Sequence, residues 1–313
     1  MSLVKPKALR PGSMLGLVTP ASIARQELVY AGIAELERMG YRTKLFPHAL
    51  DAGPLNYAST RENRVADLHA AFADPEVDAI LCTRGGWGAA ELLPLLEAGL
   101  IRENPKALLG YSDMTSLHVW LQREANLVSF QAPMVGSDFA KNGLIDLASW
   151  TAALTQTKPW TLGPDSGLRV LRPGIAKGTL SGGCISIYTE ALGTPYAALP
   201  CAGDSILFFE DIGTKPYQWD RMLLHVLYAG LLERVTGIVF GDMTQCVGPE
   251  EFALVDETIL YALRDFEGAI GIGLRSGHVD AGNITLPWGV EVQLDFTDRA
   301  NPQMNFVEGA VTV

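Results

Sequence analysis

The first 133 residues alternate short apolar runs with amphipathic ones, and that rhythm leaves few folds open. Residues 14–20 (MLGLVTP) read as a strand, and 24–39 as a helix with Leu28, Ile33 and Leu36 near helical spacing. YRTKLFPH (41–48) is a second strand, and Ser59 with Glu62 has the spacing of a capping box for a helix running through 74. AILCTR (79–84) is a strand, followed by a glycine-rich turn and a helix to about 97. KALLGYS (106–112) is a strand that runs into a helix over 114–125, and LVSFQAP (127–133) is a further strand. Strands that alternate with helices across short turns pack as a parallel sheet covered on both faces.

Around 155–183 the pattern breaks into Pro, Gly and Ser without helical period. Beyond it lie strands at 205–212, 237–243 and 283–296, with helices over 216–233 and 250–266 and a β-rich tail. A chain of 313 residues is long enough for one large or two ordinary domains. The expected division is an N-terminal α/β domain over 1–155, a linker over 156–177 and a β-rich C-terminal domain over 178–313.

Hydrophobic residues make up 48% and charged residues 19%, which describes a folded globular chain and excludes a disordered one. The formal net charge of -11 argues against nucleic acid or an anionic membrane as the main partner. Cys82, Cys184, Cys201 and Cys246 form no CxxC pair, which favours a reducing compartment over a disulfide framework. The opening MSLVKPKALRPG has no apolar signal core, and no apolar run approaches the roughly 20 residues of a membrane span. A cytoplasmic location is expected.

Candidate chemistry begins at LLGYSDMTSLH (108–118). Ser112 stands where an apolar strand gives way to a helix, at the carboxyl edge of the expected parallel sheet. Free N–H groups at a helix start stabilise developing negative charge, which suits a nucleophile and its oxyanion. A helix cap is the other reading of Ser112 or Asp113. Met114 breaks the GxSxG pattern, which disfavours an ordinary α/β-hydrolase. In CTRGGWGAAELL (82–93), Gly85, Gly86 and Gly88 permit close approach of backbone amides to a ligand, or simply shape a tight turn. The stretch lacks the third glycine of GxGxxG and the lysine of a P-loop. Cys82, inside an apolar strand, reads as a buried structural thiol.

Of the five histidines, His69, His118 and His225 fall in expected helices and His48 ends a strand. His278 lies in GLRSGHVDAGN (273–283), a glycine-flanked loop of the kind on which catalytic residues concentrate. Glu210 and Asp211 end the apolar run SILFFE and alternate in direction, so only one of them is expected to reach His278. No HExxH or other close ligand pair is present, so a catalytic zinc has no obvious home.

Taken together these segments resemble the LD-carboxypeptidase family, which includes the microcin C immunity proteins. The resemblance runs through LRPGSMLGLVTPAS (9–22), STRENRVADLHAAFADPEVDAILCTRGGWG (59–88), GYSDMT (110–115), GTLSGGCISIYTEALGTPY (178–196), ILFFEDIGTKPYQWDRML (206–223) and GLRSGHVDAGNITLPWG (273–289). It implies Ser112 as nucleophile, His278 as base, Glu210 as the carboxylate that orients it, and an oxyanion hole from the backbone amides of Gly86 and Asp113. It also implies an N-terminal domain similar to class I glutamine amidotransferases, a swivelling-type β-rich C-terminal domain, a homodimer, and neither a metal nor an organic cofactor. The family often has Asp where Ser13 stands and Asn where Cys184 stands.

The activity implied is a serine carboxypeptidase that cleaves the L,D bond before a terminal D-alanine in murein peptides. An immunity-type peptidase acting on peptidyl- or aminoacyl-nucleotide conjugates is the alternative. Arg84, Lys215 and Arg275, close in sequence to these site residues, are candidates to pair with a terminal carboxylate. A non-catalytic binding protein would be favoured by loss of a site residue, and a cysteine amidotransferase by Cys at 112; the sequence shows neither.

Overall fold

The computed structural model describes residues 3–141, 143–200 and 202–313; Cys201 lies outside them. The first half supplies β1 (Met14–Val18), α1 (Gln26–Arg38), β2 (Arg42–Leu45), α2 (Arg61–Ala73), β3 (Ala79–Cys82), α3 (Ala98–Glu103), β4 (Ala107–Leu109), α4 (Thr115–Trp120), β5 (Ser129–Gln131) and α5 (Leu147–Thr155). The second supplies β6 (Trp160–Leu162), β7 (Arg169–Arg172), β8 (Ile175–Cys184), α6 (Ile185–Glu190), β9 (Ser205–Glu210), α7 (Pro216–Tyr228), β10 (Val235–Gly241), α8 (Phe252–Ala262), β11 (Ala269–Leu274), β12 (Leu286–Trp288), β13 (Glu291–Asp295) and β14 (Gln303–Phe306).

The two halves build a mixed α/β molecule with a parallel N-terminal sheet and a β-rich C-terminal part. The first sheet has six strands in the order β12-β5-β4-β3-β1-β2, all parallel except β12. β3 and β4 are buried along their whole length, as strands of a sheet covered on both faces must be. The second sheet has eight strands in the order β6-β14-β13-β8-β9-β10-β11-β7, with β8, β9, β10 and β11 parallel at its centre.

Several local expectations need correction. The cap of α2 is Thr60, whose hydroxyl accepts from the Asn63 amide at 3.3 Å; Ser59 instead takes φ 52° and donates to Asp51. The helix expected after the glycine turn is a 3-10 segment, Ala89–Leu95, which contains Pro94; Pro lacks the N–H that a continuing helix needs. The helix expected over 114–125 is divided into a 3-10 turn at Ser112–Met114, α4, and a π turn at Leu121–Ala125. The single strand expected over 283–296 is two, β12 and β13, broken at Gly289 with φ 90°.

The interval expected to be a linker holds β6 and β7, the two outermost strands of the eight-stranded sheet, and the start of β8. Its Pro and Gly residues are tolerated there because edge strands leave one side of the backbone free of partners. The halves are not sequential units either. β12, from the last tenth of the chain, returns to pair with β5, Leu286 opposite Gln131 and Trp288 opposite Ser129. Trp288 is fully buried and packs against His118 of α4 and Phe208 of β9, with ring centroids at 6.5 and 6.1 Å. A single apolar core accordingly includes Leu81, Leu109 and Phe130 from one sheet and Phe208, Val239 and Leu294 from the other.

A fragment ending at residue 155 should therefore fail as an independent domain, because it loses β12 and bares the β5 edge. It should aggregate or melt well below the full chain in circular dichroism and light scattering. A cooperative melt at the temperature of the full chain would show that β12 is dispensable.

Candidate active site

In both sheets the loops that leave the carboxyl ends of parallel strands line one cavity of about 420 Å³. One wall comes from the first half, with Arg25, Leu28, Arg84, Tyr111 and Lys141. The other comes from the second, with Ile212, Thr244, Gln245, His278 and Asp280.

Ser112 follows β4 with φ 64°, a left-handed conformation that a non-glycine residue takes only when its surroundings compel it. Two glycines make that turn possible. A Cβ on Gly110 would stand 2.8 Å from Met114 Cγ, and one on Gly85 would stand 2.9 Å from Ser112 Cβ. The absent GxSxG pattern thus hides a turn of related shape, with its small residues placed differently. Buried His118 secures it: Nε2 donates to the Gly110 carbonyl at 2.8 Å, and Nδ1 accepts from the Ser129 hydroxyl at 2.9 Å. Burial lowers His118 to about 4, so it stays neutral and structural.

The Asp113 carboxyl turns inward and accepts from the Ala89 amide at 2.7 Å, tying the serine turn to the glycine loop. Burial outweighs that hydrogen bond and pushes Asp113 up to about 6. The loop is held from its other side by Arg64, a buried guanidinium that donates to the carbonyls of Pro20 and Gly88 at 2.8 and 2.9 Å and pairs with Glu91. Ser22 Oγ accepts from the Trp87 amide at 3.1 Å, and a Cβ on Gly86 would lie 2.3 Å from that oxygen. Among the described residues, the amides of Gly86 and Asp113 donate to no protein acceptor.

Glu210 and His278 meet. Glu210 Oε2 accepts from His278 Nδ1 at 2.8 Å and from the His278 amide at 3.0 Å. An ionised carboxylate only accepts, so Nδ1 carries the proton and Nε2 is left as the basic nitrogen. Asp211 points the other way, and its carboxylate accepts from the amides of Ser186 and Ile212 at 3.1 and 2.8 Å. Burial alone would lower His278, but the Glu210 charge and hydrogen bond, with Asp211 and Asp138 beyond, raise it above the ordinary imidazole value.

Fully buried Asn283 holds the histidine loop. It accepts from the Gly277 amide and donates to the Gly277 carbonyl, both at 3.0 Å, and donates to Asp138 across the boundary between the halves at 3.0 Å. Asp138, pushed up to about 6 by burial, also takes the Tyr111 hydroxyl. The Tyr111 ring meets the His278 ring edge-on, with centroids 5.1 Å apart. Ser112 is thus one residue from a side chain in contact with His278, but among the described residues its hydroxyl forms no hydrogen bond.

The expected cations separate. Arg84 lines the cavity, anchored by donation to the Ile23 carbonyl at 3.0 Å. Lys215 is an exposed residue at the start of α7, and Arg275 donates to the Asp165 carbonyl at 2.7 Å beside a different cavity. Nearness in sequence misled here, because each lies three to five residues along from a site residue and the chain has turned away by then. Sequence reasoning missed Arg25, Lys141 and Asp138. Arg64, Tyr111, Asp280 and Asn283 stood inside the motifs without being singled out. Cys82 is fully buried, and burial pushes its thiol strongly up.

Family comparison agrees with this architecture. Residues 15–132 match the LD-carboxypeptidase N-terminal domain and residues 177–294 the LD-carboxypeptidase C-terminal domain. The chain belongs to the LD-carboxypeptidase family. It is a serine-type carboxypeptidase, a hydrolase. A Bacillus subtilis protein bearing the name "probable murein peptide carboxypeptidase" is 35% identical over 303 residues, 94% of this chain and 92% of that one. A Pseudomonas aeruginosa murein tetrapeptide carboxypeptidase is 29% identical over 296 residues, 90% and 92% of the two chains. The crystal structure of a MccF-like protein from Bacillus anthracis superposes with a TM-score of 0.88 at 26% identity, covering 97% of this chain and 99% of that one.

An NMR titration of the His278 imidazole should give a midpoint above about 6.5. Glu210→Gln should bring it down, because burial is then opposed only by the more distant Asp211 and Asp138. A midpoint that ignores the substitution would mean that Glu210 does not set the basicity of His278. The same raised value makes His278 a source of stability that is complete below about pH 6.5 and is lost as pH rises through the native value.

Proposed function

We propose that this carboxypeptidase hydrolyses the amide bond between an L-centred residue and a terminal D-alanine of murein peptides, through Ser112, His278 and Glu210. The observation that carries the reading is the buried Glu210–His278 pair, whose Nδ1 is committed to the carboxylate at the wall of a cavity. Ser112 Oγ attacks the scissile carbonyl while Nε2 takes its proton. Glu210 stabilises the imidazolium that forms, and the amides of Gly86 and Asp113 receive the oxyanion. His278 then returns the proton to the departing amine of D-alanine, and water repeats the sequence on the acyl-enzyme. Catalytic hydrogen bonds are often long before substrate arrives, so the Ser112 contact to Nε2 closes on binding.

An exopeptidase must recognise a terminal carboxylate, and Arg25, Arg84 and Lys141 share the cavity wall of the first half. The two carboxypeptidase relatives are named for murein peptides, which supports this substrate class. The close match in shape to a MccF-like protein favours one second reading, an aminoacyl-nucleotide conjugate as substrate. A cytoplasmic site of action and a homodimeric assembly belong to the same proposal.

Incubation with a synthetic murein tetrapeptide and with an aminoacyl-sulfamoyl-adenosine separates the readings by product, free D-alanine or free nucleoside. Ser112→Ala should reduce turnover by about four to six orders of magnitude with the melting temperature preserved. Retention of more than about a tenth of the rate would remove Ser112 from the mechanism. Amidation of the terminal D-alanine should raise KM strongly, and equal cleavage of the amidated peptide would argue against a carboxylate pocket.

A further inference from the structure

We infer that the turn after β10 is a substrate clasp and that Gln245 is the residue it presents, hydrogen-bonding the peptide group of the bound substrate; the inference rests on the carboxypeptidase reading above. Met243 and Gln245 have φ of 57° and 58°, two left-handed residues within three positions, neither of them glycine. Backbone strain of this kind persists only where neighbouring contacts impose it, and it collects at ligand clamps.

The contacts that impose it come from both loops that flank the Glu210–His278 pair. Thr244, between the two strained residues, donates its hydroxyl to the His278 carbonyl at 2.6 Å. Its own carbonyl accepts from the Gly213 amide at 3.0 Å, on the loop that follows Glu210. Cys246, next along, directs its thiol to the Asp211 carbonyl at 3.7 Å, and buried Met243 anchors the other end in the core.

The turn is thereby pinned to the histidine loop and to the glutamate loop at once. Between Met243 and Cys246, Gln245 is the residue left facing outward. It is exposed, lines the cavity, and forms no hydrogen bond among the described residues. The chemistry of the walls says what it meets. Arg25, Arg84 and Lys141 on the opposite wall suit carboxylates, and Asp280 suits an amine. Gln245 carries an uncharged amide that can donate and accept together, the complement of a peptide N–H and C=O.

The test is steady-state kinetics of Gln245→Gly and Gln245→Ala with the D-alanyl tetrapeptide, or with the aminoacyl-sulfamoyl-adenosine if that is the compound turned over. Glycine takes the positive φ freely, whereas alanine keeps the strained backbone without the amide. Both variants should raise KM about tenfold and leave kcat within about twofold. The glycine variant should melt within about 2 °C of wild type or above it. Wild-type KM in the alanine variant would overturn the inference, because the amide would then be idle. A loss confined to kcat would move Gln245 from binding to chemistry and overturn it equally. A glycine variant that melts well below wild type would refute the strained turn. Failure of the wild type to turn over either compound would bring down the functional reading, and this inference with it, whereas wild-type turnover with unaltered variants would bring down this inference alone.

Discussion

Glu210 is a carboxylate taken almost wholly out of water at the end of a buried strand, and a charge in that position must be paired or be lost. Its pairing shapes everything around it. One oxygen, Oε2, collects both N–H groups of His278, while Oε1 has no protein partner among the described residues. The approach is so close that a Cβ at 277 would sit 2.3 Å from the carboxylate carbon, and one at 241 would sit 2.6 Å from Glu210 Cβ. Glycine at 277 follows from the ion pair, and glycine at 241 from the close packing of β10 beside Glu210. The ion pair also creates the need for Asn283, which supplies the hydrogen bonds that the tight loop at Gly277 cannot make within itself.

The pair and the serine turn are carried by different sheets. The serine turn lies at the carboxyl edge of the first. The second sheet brings β9, β10 and β11 to end at the same cavity, each contributing one loop: Asp211–Gly213, the Thr244 turn and the His278 loop. Contact between the sheets is maintained by specific close approaches. The Cys184 amide donates to Thr115 Oγ1 at 3.0 Å, and Gly183 has no room for a Cβ beside Thr115. The serine turn and the glutamate strand are consequently held through neighbouring residues, α4 against β8 and β8 against β9.

Much of this was legible in the sequence, because the signals were local. Apolar runs mark β1, β3, β4, β9 and β10, and strand alternation by itself separates Glu210 from Asp211. What stayed hidden was set by distant partners. No periodicity announces that residues 286–288 pair with 129–131, or that a stretch rich in Pro and Gly supplies both edges of a sheet. Lys215 and Arg275 were drawn toward the site by their place along the chain, whereas Arg25 and Lys141 reach it from loops after β1 and β5. Asp138 gave no signal at all, since its role depends on Asn283 and Tyr111 meeting it from opposite directions.

The return of β12 to the first sheet also has a bearing on synthesis. At ribosomal speeds, the roughly 150 residues between β5 and β12 take on the order of ten to thirty seconds to emerge. Throughout that interval the nascent N-terminal half carries Ser112 on an unfinished sheet, with the edge of β5 open to whatever strand is near. The histidine and the closing strand then appear within about ten residues of each other. On the proposed mechanism a hydrolase built in this order is silent until both have emerged, and its passage through the open-edged state is when a chaperone would matter most.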